Sequence, residues 1–121
     1  MRLMVMFDLP VETSEQRREY RKFRKSLINE GFCMIQYSVY VRVCTTRQAA
    51  TLLENRIKAF IPDEEGGVIQ TLILTEKQYG DMHFLLGKEK DDIRNSSERT
   101  IFDLKIYNMN VYRYELIRWD G

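Results

Sequence analysis

Residues 3–7, Leu-Met-Val-Met-Phe, run without a polar side chain straight into Asp8, and Pro10 closes the segment two positions later. A strand with no polar face must be covered on both sides, which predicts a central place in a sheet. Pro10 cannot donate to a strand ladder and biases Leu9 away from helix, so the strand has to stop near Asp8. Asp8 therefore falls where a buried strand emerges at the edge of the core. A carboxylate held there meets solvent from a rigid support, which suits metal binding. An Asp that hydrogen-bonds the following turn fits the same position.

The chain has 121 residues, enough for one domain that buries an ordinary core without staples. No apolar run approaches the ~20 residues that span a bilayer, and the start lacks the apolar stretch and small-residue cleavage site of a signal peptide, so export is not expected. Cys33 and Cys44 flank a strand-like run with no metal-ligand spacing around them, and read as buried thiols of a reducing compartment. A cytoplasmic location with no membrane contact is the expectation. His83 is the only histidine, which argues against a His-rich zinc site or a His-based triad. Charge is uneven: residues 1–60 carry eleven Lys/Arg against six Asp/Glu, and residues 61–121 eight against twelve. A basic first half can serve a polyanion.

Thr13 with Gln16 has the form of a capping box, and the helix it opens is predicted to reach about Glu30, with Gly31 as its left-handed stop. Tyr20, Phe23, Leu27 and Ile28 make its apolar stripe. Arg18, Lys22 and Lys25 lie opposite that stripe, and Arg17, Arg21 and Arg24 line a flank. Six cations against three carboxylates over residues 15–30 exceed what pairing along the helix uses. Polyanion contact and a solvated face both fit. Residues 32–44 are β-rich but long for one strand, so a reversal is placed at Gln36-Tyr37-Ser38. Thr45 with Gln48 repeats the capping-box form, and Ala49, Leu52, Leu53, Ile57 and Phe60 form the buried side of a second helix ended by Pro62. Residues 68–75 make another apolar strand.

The order strand, helix, strand, strand, helix, strand predicts an α+β, ferredoxin-like βαββαβ domain: an antiparallel sheet with two helices on one face. The first and last strands, both apolar, are expected to be its central pair. Residues 1–87 form this domain. Residues 88–121 are a charged linker and strand-like extension, expected to add to a sheet edge of this chain or of a second copy.

No glycine-rich phosphate loop, Ser-His-Asp set or paired Cys ligands are present. Neither residues 3–7 nor 68–75 carry the aromatic spacing of the RNA-recognition motif. What does match a family is a joint pattern: strand 3–10 with its Asp8; Arg21-Lys22-Phe23-Arg24-Lys25; Gly31-Phe32; Ile35-Gln36-Tyr37-Ser38-Val39-Tyr40; Thr75-Glu76-Lys77-Gln78-Tyr79; and Lys90-Asp91-Asp92-Ile93-Arg94-Asn95-Ser96. Over roughly residues 1–101 the chain resembles the small CRISPR-associated endoribonuclease family of spacer acquisition, the dimeric partner of the CRISPR integrase, in its type II variant. The resemblance ends near Ile101, where members of this type tend to end.

The resemblance implies a homodimer that bridges integrase dimers and holds duplex spacer DNA, with a metal-dependent endonuclease activity on RNA or DNA. It implies Mg²⁺ or Mn²⁺ as cofactor and matches Asp8 to the family's metal-binding aspartate. Ser38 matches the serine near the dimer cleft. Arg17, Arg18, Arg21, Lys22, Arg24 and Lys25 are the candidates for phosphate contact. A non-catalytic interaction module of the same fold is the competing reading.

Overall fold

A computed structural model describes residues 1–63 and 65–89. The chain runs β1 (Arg2–Asp8), α1 (Ser14–Asn29), β2 (Cys33–Gln36), β3 (Val39–Val43), α2 (Arg47–Ile57), β4 (Val68–Leu74) and a short α3 (Glu76–Gly80), with a 3₁₀ turn at Lys58–Phe60 after α2. The strands form one antiparallel sheet in the order β2-β3-β1-β4. This is the expected ferredoxin-like arrangement. Its central pair, however, is β1 and β3, and β4 is an edge strand. The burial along β4 explains the difference: Val68, Gln70 and Leu72 are exposed and alternate with half-buried Ile69, Thr71 and Ile73. Its apolar residues on the outer side were mistaken for a second buried face.

Period-2 alternation divides β1 between two faces. Leu3, Val5 and Phe7 enter the main core with Tyr20, Phe23 and Leu27 of α1, Tyr40 of β3, and Ala50, Leu53 and Ile57 of α2. Arg2, Met4, Met6 and Asp8 take the face away from α1 and α2, opposite Val43, Val41 and Val39 of β3 and Leu74, Leu72, Gln70 and Val68 of β4. Burial on this second face declines along β1, from Arg2 and Met4, which are buried, through Met6 to exposed Asp8. At the buried end sits α3, which sequence reading did not foresee as a helix. Thr75 and Gln78 make a reciprocal capping box there. Arg2 donates two hydrogen bonds from Nε and one from Nη2 to the Glu76 carboxylate, and its guanidinium lies 4.0 Å from the Tyr79 ring centroid.

The helices begin and end for local reasons. Thr13 and Gln16 form the expected capping box of α1, and Gly31, at φ +93°, turns the chain into β2. A side chain at Gly31 would press on Arg42, with a Cβ only 3.2 Å from its Nε. The second cap is Thr46, whose hydroxyl accepts from the Ala49 amide, rather than Thr45. Leu53 and Ile57 are buried as expected and Ala50 joins them, whereas Leu52 is exposed, contrary to its expected burial. Residues 82–87 pair with no strand of the described residues, and Leu85 and Leu86 are 96% and 95% exposed. Apart from Lys88 and Glu89, the expected linker and strand extension over 88–121 lies outside the described residues. No described helix is long and apolar enough to cross a membrane.

Candidate functional site

The β2–β3 reversal falls where it was expected, as a two-residue connection of Tyr37 and Ser38 between the paired Gln36 and Val39, with a bulge at Ile35. Its chemistry is unusual. Positive φ at the second position of such a turn normally calls for Gly or Asn, yet Ser38 stands there at φ +63°. Two bonds hold it. The Phe7 amide donates to the Ser38 carbonyl at 3.0 Å, and the Ser38 and Tyr20 hydroxyls share a hydrogen bond of 2.8 Å. Tyr20 comes from α1 and is buried; its ring also stacks on Tyr37, with centroids 5.9 Å apart and planes 19° from parallel. The turn is thereby tied to Phe7, the residue before Asp8.

Asp8 and Ser38, singled out separately from the sequence, line one open pocket of about 210 Å³ together with Met6, Tyr37, Val68 and Gln70. The polar side chains facing it carry oxygen: a carboxylate, an amide and hydroxyls. Such a donor set suits a hard cation, Mg²⁺ or Mn²⁺, and lacks the sulfur and imidazole ligands of zinc. One chain supplies one carboxylate, and no group of three or more His, Cys, Asp or Glu among the described residues can hold a metal. Mg²⁺ is commonly held by one or two carboxylates with substrate phosphate and water completing its shell. Asp8 fits that open kind of site.

The basic helix divides into three groups. Arg18, Lys22 and Lys25 are exposed and Arg21 is half-buried, as a phosphate-contacting face requires. Arg17 spends its Nη1 on the Val11 and Glu12 carbonyls, 3.0 and 2.9 Å away, fixing the loop that enters the helix. Arg24 corrects the sequence reading outright. It is 2% exposed and belongs to the buried side of α1, next in sequence to Phe23, so it is not a surface phosphate contact. Helical spacing placed it on a flank, but packing of α1 on the sheet extends over that flank. Sequence reasoning missed Tyr20 as part of the site, because its spacing marked it only as core. The signal that could have found it is the non-glycine turn Tyr37-Ser38, which needs an anchor. Cys33 and Cys44 are buried thiols outside any disulfide, as expected, and burial pushes the Cys44 thiol up.

A ferredoxin-like sheet with an exposed carboxylate at the end of its first, buried strand, beside a basic helix, places the chain among small ferredoxin-like α+β proteins. Within that class, residues 1–82 match the family model for CRISPR associated protein Cas2. The chain belongs to the Cas2 family. It is 69% identical over 101 residues to the CRISPR-associated endoribonuclease Cas2 of Ligilactobacillus salivarius, covering 84% of this chain and 98% of that one. It is 33% identical over 115 residues to the Campylobacter jejuni protein of the same name, covering 93% of this chain and 79% of that one. That second match necessarily runs past Ile101, so similarity to the family does not stop there in every relative. Among solved structures, Streptococcus pyogenes Cas2 at pH 6.5 is similar in fold, with a TM-score of 0.53 at 22% identity over 70% of this chain and 99% of that one.

Proposed function

We propose that this protein is a CRISPR adaptation protein: a symmetric dimer that holds duplex DNA between integrase dimers and carries an endonuclease activity centred on Asp8. The observation that carries the reading is Asp8 itself, an exposed carboxylate at the end of a buried strand, in a pocket that also holds the side chains of Ser38 and Gln70. The curated relatives bear the name endoribonuclease, which supports phosphodiester hydrolysis as the chemistry.

The sheet face away from α1 and α2 supports the dimer. Leu72 and Val68 are exposed there beside half-buried Met6, and Leu85 and Leu86 project nearby in sequence. A second copy packed against Leu72 on this side would bring a second Asp8 toward the first, with the two Asp8 pockets opening on the cleft between the copies. Asp8 then binds the cation, and the Tyr37-Ser38 turn, pinned by Tyr20, keeps one wall of the pocket rigid. Arg18, Lys22 and Lys25 hold phosphates without reading sequence. A bound Mg²⁺ or Mn²⁺ supplies the positive charge that neutralises the scissile phosphate and acidifies a coordinated water. No side chain lining the pocket is an obvious general base, so hydrolysis is slow and the scaffold role is the principal one.

One substitution tests this. Asp8→Asn keeps the shape and removes the charge. Cleavage of RNA or DNA by the purified protein is expected to fall on the order of a hundredfold or more, and EDTA to abolish wild-type cleavage. Spacer integration with the integrase partner is expected to persist in the same variant. Cleavage that survives both EDTA and Asp8→Asn would overturn the metal site; lost integration with assembly intact would overturn the ranking of scaffold over nuclease.

A further inference from the structure

Tyr37 is half exposed although one side of its ring is stacked on Tyr20. Large aromatics are poor turn residues; two-residue hairpin connections are ordinarily built from Gly, Asn and Asp. Here the chain accepts a non-glycine residue at φ +63° beside it and holds that residue with a hydroxyl from another element. A turn that breaks local rules yet is anchored from outside is a mark of function. The result is a rigid, outward-facing ring on the rim of the pocket that contains Asp8. The polar amide of Gln70 lines the same pocket, whose 210 Å³ has room for a single planar base.

We propose that Tyr37 is a nucleobase-stacking platform, so that the strand reaching Asp8 does so unpaired, with the base of a neighbouring nucleotide laid on the Tyr37 ring. This rests on the phosphodiester reading of Asp8 and deepens it. Duplex phosphates lie along α1, whereas an unpaired or frayed strand enters the Asp8 pocket. Base-on-aromatic stacking tolerates any sequence, since every base has a π-face, and it is distinct from phosphate contact because it releases no counterions. Tyr20 acts as the positioning residue behind it: its ring backs Tyr37 and its hydroxyl sets Ser38.

The test is binding of a short unpaired oligonucleotide carrying 2-aminopurine, in EDTA so that nothing is cleaved, by the full chain and its Tyr37 variants. Wild-type protein is expected to quench the 2-aminopurine. Tyr37→Ala should lose the quench and about tenfold or more in affinity, with the salt slope unchanged. Tyr37→Phe and Tyr37→Trp, which keep a π-face, should retain both. Affinity for a blunt, fully paired duplex should be the same in all four proteins. Tyr37→Ala binding the unpaired strand as tightly as wild type would overturn the proposal, as would Tyr37→Phe failing alongside it. Asp8→Asn separates the two readings. If it stops cleavage and retains the quench, both stand. If it stops cleavage while Tyr37→Ala binds normally, the stacking platform falls and the metal site remains.

Discussion

Among the described residues, Ser38 is the one non-glycine position held at positive φ. A left-handed backbone costs an L-residue about 1–2 kcal/mol, and the Tyr20 hydroxyl bond returns about 1 kcal/mol of it. Both halves of this balance can be measured. Tyr20→Phe and Ser38→Ala are each expected to lower stability by about 1 kcal/mol. Because they remove the same bond, the double variant should lose less than the two losses added together. Ser38→Gly gives up the hydroxyl but accepts the backbone conformation, and should be about 1 kcal/mol more stable than Ser38→Ala. Urea midpoints at constant m-value read all four. Additive losses would mean that the Tyr20–Ser38 bond, 2.8 Å in the structure, does not hold the turn.

Among the elements, α3 owes its place to one buried cation. Five residues are too few for a helix to stand alone. Its capping box and the Arg2 side chain do the rest: Arg2 is 4% exposed, ion-paired to Glu76 at 3.0 Å and stacked on Tyr79. The Arg2 hydrogen bonds hold the Glu76 carboxyl below its ordinary range, and burial pushes the Tyr79 hydroxyl up. A depressed carboxyl means that the folded state releases the Glu76 proton more readily than the unfolded chain. The stability it contributes is complete above the ordinary glutamate pKa of about 4.3. It is lost as pH falls through the lower folded value. Glu76 is half exposed, so solvent screens the pair. Glu76→Gln is expected to cost about 1 kcal/mol at pH 7 and to converge with wild type in strong acid. Denaturation midpoints across the acid range test this; a constant gap at every pH would remove Glu76 from the acid dependence.

For the whole molecule, the open side of the sheet and the basic helix belong to one prediction. Two copies joined through the face away from α1 and α2 would carry two α1 helices, and so two sets of Arg18, Lys22 and Lys25. The logarithm of duplex affinity should fall with that of salt by about 0.9 per phosphate neutralised. Leu72→Glu places a charge on the exposed edge-strand residue of that face, 49% exposed in the single chain. It is expected to yield monomers by light scattering and to halve the salt slope of duplex binding. A variant that remains dimeric would place the interface elsewhere. A monomer that keeps the full slope would separate DNA binding from dimerisation.

Element order, the strand end at Asp8, the reversal at Tyr37-Ser38 and the α1 cap were legible in sequence because each follows from local chemistry: hydrophobic period, proline, glycine and hydroxyl caps. Asp8 as a candidate was legible for the same reason, strengthened by the motif around it. What lay beyond local pattern was decided by packing. Periodicity could not tell a strand covered on two faces from an edge strand with an apolar outer row, so β4 was placed in the centre when β3 belongs there. Helical spacing set Arg24 among the surface cations, but how far a helix sinks into its sheet depends on its neighbours, and Arg24 is buried. The α2 cap is Thr46 because Thr45 and Thr46 compete for the same role and only the chain entering from β3 chooses between them; Leu52 is exposed because Ala50, Leu53 and Ile57 take the packed side of the helix. The pocket gathers Asp8 of β1, Ser38 of the β2–β3 turn and Gln70 of β4, with Tyr20 of α1 anchoring the turn from behind, and only the folded sheet brings these elements together.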